Sequence, residues 1–252
     1  MRTPYDAVSI AHRRAQVGSA MLSYQVAGSG PPLVLLHGLA GSGRWWQRNT
    51  AHLARRFRVY VVDLIGFGAS RGLHPPIFDE VAGYIAAWMD QLEIRRTSIV
   101  GHSMGGLVAA GLAANAPDRI ERLVLVDAAA FLVEQHYVYH LQGLFRELFQ
   151  VQIDFLTMLV ADAYRAGPFT LINAINQLLT TDFRPKLSLV QAPTLLVWGE
   201  HDALVPLEIG KRLCYHLPAS NRIVVIKGAG HNPMWDRPGA FNRVVEDFLA
   251  VC

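Results

Sequence analysis

The sequence predicts an α/β fold with a mostly parallel central sheet flanked by helices. Short apolar runs rich in Val, Ile and Leu alternate with segments of helical periodicity, which is typical of strands and helices that follow one another along the chain. The apolar runs are continuous rather than alternating, as expected for strands that are covered on both faces. The chain has 252 residues, of which 52% are hydrophobic, so it is long enough to bury one large core.

The predicted strands start with an antiparallel hairpin at one edge of the sheet. Its arms are residues 8–17 and 20–27, on either side of Gly18 and Ser19. Buried runs follow at residues 33–36, 59–62, 98–100, 123–126, 194–197 and 223–226. Helical patterns lie between them at residues 45–54, 81–92, 104–115 and 207–217, and a last one covers residues 239–251.

The alternation is interrupted between residues 126 and 194, where only helical patterns occur. One helix face, with the spacing i, i+3, i+4, i+7, i+8, is formed by Leu141, Leu144, Phe145, Leu148 and Phe149. Similar stripes run through residues 155–160 and 171–179. A structureless loop of this length is uncommon inside a domain. We therefore expect a helical insertion at residues 128–187 in a core made of residues 1–127 and 188–252.

The composition excludes several classes of partner. The formal net charge is +3 and the basic residues are scattered, so nucleic acid is not an expected partner. Cys214 and Cys252 lack metal-ligand spacing, and no phosphate loop or dinucleotide fingerprint occurs, so we expect no metal and no cofactor. No apolar segment has the roughly 20 residues of a membrane-spanning helix. Residues 1–16 show no secretory signal, so we expect a soluble, cytoplasmic protein without a membrane partner.

The clearest chemical motif is the run Gly-His-Ser-Met-Gly-Gly at residues 101–106, which contains the pattern G-x-S-x-G. A predicted strand enters this run and a predicted helix leaves it, which is the context of a nucleophile elbow. The glycines allow the strand and the helix to approach closely while Ser103 takes a strained backbone conformation. In the alternative interpretation, Gly105 and Gly106 only ease helix packing and Ser103 is a helix cap.

A serine nucleophile needs a neighbouring base, and the base needs an orienting acid. His231 directly follows the last predicted strand, so it can meet Ser103 at the same edge of the sheet. Most of the other histidines lie in helical or N-terminal segments without such placement. Asp202 follows the strand at residues 194–197 and gives the chain order Ser, Asp, His. Asp127, at the end of the preceding strand, is the alternative acid.

Together with two further motifs, these residues resemble the α/β-hydrolase superfamily. Leu-His-Gly-Leu stands at residues 36–39, and Asp-Leu-Ile-Gly-Phe-Gly-Ala-Ser at residues 63–70 is similar to the D-x-x-G-x-G-x-S loop of cap-bearing members. The resemblance covers essentially the whole chain. It implies that the insertion at residues 128–187 is a cap over Ser103. It also implies an oxyanion hole made by the backbone N–H groups of Leu39 and Met104.

A serine at the elbow favours acyl transfer, whereas related dehalogenases and epoxide hydrolases carry aspartate there. We therefore expect a serine esterase of the carboxylesterase type that cleaves small to medium apolar acyl esters through an acyl-enzyme on Ser103. The aromatic residues expected in its substrate pocket are Trp46, Phe145, Phe149 and Trp235. Two alternatives remain open: a carbon–carbon bond hydrolase or enol-lactonase of aromatic degradation, and a ligand receptor with slow turnover. The natural substrate and the oligomeric state stay open.

Overall fold

The predicted mostly parallel sheet is confirmed by a computed structural model, which describes residues 8–70, 77–131, 143, 145–147, 151–217 and 221–250. Its eight strands lie in the order β1-β2-β4-β3-β5-β6-β7-β8. The β1–β2 and β2–β4 pairs are antiparallel, and the remaining neighbours are parallel. The strands are β1 (Ile10–Val17), β2 (Ala20–Ala27), β3 (Pro32–Leu36), β4 (Arg58–Val62), β5 (Thr97–His102), β6 (Ile120–Val126), β7 (Thr194–Gly199) and β8 (Asn221–Ile226).

Helices cover both faces of this sheet. The α-helices of the described residues are α1 (Thr50–Leu53), α2 (Phe78–Gln91), α3 (Met104–Asn115), α4 (Ile153–Thr180), α5 (Arg184–Leu187), α6 (Leu207–His216), α7 (Pro233–Asp236) and α8 (Pro238–Leu249). One core contains Trp88 of α2 and Leu213 of α6. A second core on the other face contains Leu53 of α1 and Phe241 of α8. Among the described residues, no helix combines the length and the apolar character that crossing a membrane requires.

The single helix predicted for residues 45–54 is wrong. The structure instead has a 3-10 turn at Gly43–Trp46 and the short helix α1. Asn49, between them, donates its side-chain amide to the backbone oxygen of Met234 at 3.0 Å and to Asn242 Oδ1 at 2.8 Å. These buried hydrogen bonds hold the chain to the C-terminal helices, which local helical periodicity cannot reveal.

In its described residues, the insertion between β6 and β7 has helices and no strands. The stripes predicted at residues 155–160 and 171–179 both lie on α4, which is interrupted at Gly167 (φ 78°, ψ 159°) just before Pro168. Proline lacks a backbone N–H and clashes with the preceding turn, and glycine accepts a positive φ, so the pair breaks the helix here. The stripe predicted at residues 141–149 lies mostly outside the described residues.

Helix α4 lies across the loops that follow the carboxyl ends of β3 and β4. Near its middle, the buried Asp162 carboxylate accepts a hydrogen bond from Ser42 Oγ at 2.8 Å. Further along, a Cβ atom built on Gly66 would lie 3.0 Å from the side chain of Thr170. Near its end, Gln177 accepts a hydrogen bond from the backbone N–H of Phe78 at 2.9 Å. The helix is thus fixed along its length over the sheet edge where parallel strands present their functional loops.

Candidate active site

Ser103 lies on a sharp turn between β5 and α3. Its backbone has φ 51° and ψ −117°, in the region that residues with a side chain rarely adopt. The turn is held by its own N–H group, which donates to the oxygen of Val126 at 2.8 Å. The Ser103 side chain accepts no hydrogen bond from the first turn of α3, so the alternative role of a simple helix cap is wrong.

The glycines of the motif are required by close backbone contacts. A Cβ atom on Gly101 would lie 2.3 Å from the backbone oxygen of Gly105. A Cβ atom on Gly105 would lie 2.4 Å from the backbone oxygen of His37, on the neighbouring loop. Both distances are far below van der Waals contact. The strand, the turn and the helix can therefore pack in this way only without side chains at these positions.

The structure brings Ser103, His231 and Asp202 together in a chain of two hydrogen bonds. Ser103 Oγ lies 3.0 Å from His231 Nε2, and His231 Nδ1 lies 2.8 Å from Asp202 Oδ2. The other oxygen of Asp202 accepts the backbone N–H groups of Leu204 and Val205, each at 2.9 Å. All three side chains come from loops at the carboxyl ends of strands. The backbone donors fix Asp202, and its remaining oxygen fixes the imidazole ring.

The surroundings of His231 are rich in negative charge. Burial, the largest effect, lowers the pKa of His231, but Asp202, Glu147 and Asp236 outweigh it, so the pKa is raised above the ordinary value of 6.5. Glu147, from the insertion, also accepts the backbone N–H of His231 at 3.2 Å. Nearby carboxylates stabilise the protonated imidazole. The site is therefore suited to a histidine that gains a proton during a reaction.

Asp127, the alternative acid, lies within the same cluster but does not hold the imidazole. It is fully buried, and its Oδ1 accepts the backbone N–H of Gly199 at 2.9 Å. One carboxylate oxygen each of Asp127 and Asp202 and one ring nitrogen of His231 lie within 4.8 Å of one another, which is close enough for all three atoms to bind one metal ion. Both ring nitrogens of His231 are already engaged in hydrogen bonds, to Ser103 and Asp202, so this geometry favours proton transfer over metal binding.

His37 and His102 are buried next to the site in other roles. Burial lowers the pKa of both rings, well below the ordinary range for His102, so both are neutral imidazoles. His37 Nδ1 donates to the oxygen of Gly38 at 2.8 Å, and its Nε2 accepts the N–H of Leu64 at 3.0 Å. His102 Nε2 donates to the backbone oxygen of His231 at 2.8 Å. The two rings therefore hold the loops around Ser103.

The loop after β3 lies directly against Ser103. A Cβ atom on Gly38, the residue before Leu39, would lie 3.1 Å from the Cβ of Ser103. Within the described part of the chain, the backbone N–H groups of Leu39 and Met104 donate to no protein acceptor. Backbone N–H groups without a protein acceptor are the kind of donor that can stabilise an oxyanion.

A small apolar cavity of about 20 Å³, with room for one or two water molecules, lies beside Met104. Met104, which follows Ser103, contributes to its wall. The loop after β4 and the second half of α4 supply most of the rest: Leu64, Ile65, Phe67, Thr170, Asn173 and Ala174. Sequence reasoning missed these residues. The one available signal was the apolar character of the D-x-x-G-x-G-x-S loop between its glycines.

Two of the four aromatic residues predicted for the pocket lie in the core. Trp46 is fully buried and its ring packs 6.1 Å from that of Phe241 in the core, and Trp235 is buried in the same core cluster. The expectation for these two residues is corrected, because rings enclosed by core side chains cannot contact a substrate. Phe145 is 63% exposed, and Phe149 lies outside the described residues, so both stay predictions.

Comparison with known proteins agrees with this geometry. A family model described as the alpha/beta hydrolase fold matches residues 31–170 and 165–238. The chain belongs to the α/β-hydrolase family. The match spans the strands from β3 to β8 and the whole of residues 128–187, so the resemblance found in the motifs is confirmed.

Curated relatives of this α/β-hydrolase include enzymes with two different substrates. A pimeloyl-[acyl-carrier protein] methyl ester esterase of Nitrosomonas europaea is 31% identical over 249 residues, covering 88% of this chain and 97% of the relative. A 2-hydroxy-6-oxononadienedioate/2-hydroxy-6-oxononatrienedioate hydrolase of Paraburkholderia xenovorans is 30% identical over 272 positions, covering 92% of each chain. Among solved structures, an enol-lactonase from Burkholderia xenovorans has a TM-score of 0.79 and 27% identity, covering 95% of this chain and all of that one. These similarities support a hydrolase of the α/β fold.

Proposed function

We propose that this α/β-hydrolase is a serine esterase of the carboxylesterase type that cleaves small to medium apolar acyl esters. The observation that carries the proposal is the pair of consecutive hydrogen bonds from Ser103 to His231 and from His231 to Asp202. A hydroxyl, a base and an orienting acid at these distances form an activated nucleophile. Ser103, His231 and Asp202 are accordingly the proposed catalytic triad.

In the proposed acylation step, Ser103 Oγ attacks the ester carbonyl carbon and His231 Nε2 takes the serine proton. Asp202 keeps the Nδ1 proton in place and stabilises the imidazolium that forms. The imidazolium then gives its proton to the departing alcohol oxygen as the bond from the carbonyl carbon to that oxygen breaks. The products are the free alcohol and an acyl-enzyme on Ser103.

The proposed oxyanion hole consists of the backbone N–H groups of Leu39 and Met104. Both are free of protein acceptors in the described residues, and Met104 lies at the positive N-terminal end of α3. Removing one such donor typically costs about 2.7–4 kcal/mol of transition-state stabilisation. Water then attacks the acyl-enzyme with His231 again as base, which releases the acid and restores Ser103.

We assign the acyl group to the apolar cavity beside Met104, under a cap formed by residues 128–187. Leu64, Ile65 and Phe67 supply apolar walls from the core, and α4 closes the cavity from the cap side. Walls of this kind exclude water and favour uncharged acyl groups. The cavity has room for only one or two water molecules, so any acyl chain needs its walls to move. Longer chains need a larger movement of the cap, which favours short and medium acyl chains.

The experiment that tests the proposal is hydrolysis of p-nitrophenyl esters from acetate to palmitate. Each buried methylene contributes about 0.8 kcal/mol, so kcat/KM should rise by up to about fourfold per carbon and peak between butanoate and octanoate. Ser103→Ala should abolish turnover without loss of structure. Ser98→Ala, which changes another buried serine of the same strand, is the matched control and should retain activity. A covalent phosphonate adduct on any serine other than Ser103 would refute the assignment.

A second candidate is the hydrolysis of a carbon–carbon bond or an enol-lactone with the same triad. It is favoured by the similarity to the dienedioate hydrolase of Paraburkholderia xenovorans and to the enol-lactonase structure. Rapid cleavage of a vinylogous diketone together with no turnover of the ester panel would select this candidate. Turnover of neither substrate class would favour a ligand receptor that retains the triad.

A further inference from the structure

Asp127 is a buried carboxyl group next to the proposed triad, and the mechanism above does not use it. The residue directly follows β6 in a left-handed conformation (φ 42°), and its backbone N–H donates to the oxygen of Val197 at 3.0 Å. Its Oδ1 is held by the N–H of Gly199. Its Oδ2 is equally buried. If the carboxyl groups of Asp127 and Asp202 are both ionised, they can only accept hydrogen bonds, and Oδ2 then has no hydrogen-bond partner among the described residues. A buried polar atom without a partner requires an explanation.

The neighbour of Asp127 within the cluster is the carboxylate of Asp202. One oxygen of each carboxyl group and one ring nitrogen of His231 lie within 4.8 Å of one another. Two buried carboxylates at such a distance cannot both be ionised without a large cost. Asp202 already accepts hydrogen bonds from Leu204, Val205 and His231, which makes it the group that carries the charge.

The charged groups around Asp127 oppose its ionisation. Burial is the largest cause and Asp202 the next, and together they raise the pKa of Asp127 well above its usual range. Glu147, from the insertion, acts in the same direction, while the N–H of Gly199 acts against them. The His231 ring is hydrogen-bonded to Asp202 Oδ2 at 2.8 Å. The largest of these influences come from burial, from carboxyl groups and from a backbone N–H, and none of these largest ones comes from an arginine or a lysine.

We infer that Asp127 is a protonated positioning residue whose carboxylic O–H group donates a hydrogen bond to the Asp202 carboxylate. This inference rests on the proposed esterase function for its kinetic consequences. Asp127 then carries the proton, and Asp202 carries the negative charge. The O–H group adds a fourth donor to Asp202, gives the buried Oδ2 a partner, and fixes the carboxylate that orients His231.

The inference predicts that Asp127→Asn is nearly silent. The amide can still accept from Gly199 and donate to Asp202, and the charge of the cluster is unchanged. The rate should stay within about threefold of wild type, and the acid limb of its pH profile within about 0.3 units. If Asp127 were ionised instead, the same substitution would remove a full charge at about 5 Å. With an effective dielectric constant of about 20, this loss would lower the acid limb by about two pKa units.

Asp127→Ala separates positioning from charge. It removes the donor to Asp202 and leaves the N–H of Gly199 without an acceptor. The rate should fall by about tenfold or more, and the acid limb should move upwards, because the unassisted Asp202 carboxylate stabilises the imidazolium more strongly. Activity that is retained in Asp127→Asn but lost in Asp127→Ala is the signature of a hydrogen-bond donor.

The experiment measures phosphonylation of Ser103 by a fluorophosphonate as a function of pH, which requires no knowledge of the natural substrate. If the pKa of the acid limb is lower by one unit or more in Asp127→Asn than in wild type, the inference is overturned. Activity that is lost on dialysis against EDTA and restored by a divalent cation would also overturn it, because a metal would then occupy the place of the proton. If wild type fails to react at all, the proposed function fails, and Asp127 is tested by infrared spectroscopy.

Infrared spectroscopy tests the proton directly. At about pH 8, where an ordinary aspartic acid is ionised, a protonated carboxyl C=O stretching band should be present in wild type. It should persist in Glu147→Gln and in Asp236→Asn, which remove the two other described carboxyl groups whose pKa is raised, and disappear in Asp127→Asn. Absence of the band in wild type, or its loss in Glu147→Gln or Asp236→Asn, would overturn the inference even if the Asp127 variants do not fold.

Discussion

Replacing Asp202 by asparagine tests the arrangement of the candidate site most directly. The asparagine oxygen can still accept the N–H groups of Leu204 and Val205, which now bond to Asp202 Oδ1 at 2.9 Å. Its NH₂ group then faces His231 Nδ1, at the position of the present 2.8 Å hydrogen bond. An NH₂ group requires an acceptor there, so the ring proton moves to Nε2. In that tautomer the histidine cannot take the proton of Ser103.

Two losses set the size of the effect. A charge-assisted hydrogen bond contributes about 1.5–3 kcal/mol, and restoring the active tautomer leaves a buried donor unpaired at about 1–3 kcal/mol. Together they amount to about 2.5–6 kcal/mol, or a decrease of about 10² to 10⁴ in kcat. The upper end equals the effect of the corresponding change in a serine protease, about 10⁴.

The assay is kcat on p-nitrophenyl butanoate, with thermal unfolding as a measure of structure. Glu200→Gln is the matched control: its carboxylate is in the same loop, accepts the N–H of Gly228 at 2.8 Å and does not contact the imidazole. It should retain most of the activity. If folded Asp202→Asn keeps more than about a third of wild-type kcat, or if Glu200→Gln loses as much, the role given to Asp202 is wrong.

Further predictions concern pH, the elbow and the cavity. Activity needs the neutral His231 ring, whose pKa is raised above the ordinary histidine value of 6.5. The acid limb of kcat/KM against pH should therefore have its inflection above 6.5. A pH–rate profile with a lower inflection would contradict this. Gly105→Ala should destabilise by about 1–3 kcal/mol in urea unfolding, because its Cβ would lie 2.4 Å from a backbone oxygen. Gly111→Ala in the same helix has 3.9 Å of room and should stabilise by about 0.5–1 kcal/mol; equal effects would refute the contact argument. Ala174→Leu should fill the cavity and shift the ester preference to shorter acyl chains, whereas Ile175→Leu, at a 42% exposed position, should leave the profile unchanged.

Local sequence patterns were sufficient for the sheet and for the nucleophile. Buried parallel strands must be apolar on both faces, so each predicted run from residue 33 onwards falls within an observed strand. The elbow has an equally local origin, because its close contacts exclude any side chain at Gly101 and Gly105. The start and end of α3 match the predicted residues 104–115, since the elbow fixes one end and Pro117 follows the other.

Side chains that act together from distant parts of the chain were predicted less completely. Sequence order could place Asp202 and Asp127 at neighbouring strand ends, but the choice between them depends on which oxygen reaches His231 Nδ1. That choice follows from the N–H groups of Leu204 and Val205, which turn the Asp202 carboxylate towards the ring. A hydrogen bond of this kind depends on three loops packing together, and no local pattern encodes it.

The sequence by itself therefore determined the fold class, the position of the elbow and the residues that gather around it, since backbone sterics and burial act over a few neighbouring residues. Only the tertiary structure decided where the apolar cavity lies. It buried Trp46 and Trp235 in the core and placed Thr170 and Ala174 beside Met104. Which face of a helix covers a cavity depends on how the whole helix docks. For α4, docking is set by contacts with loops more than 90 residues away in sequence, from Ser42 to Phe78.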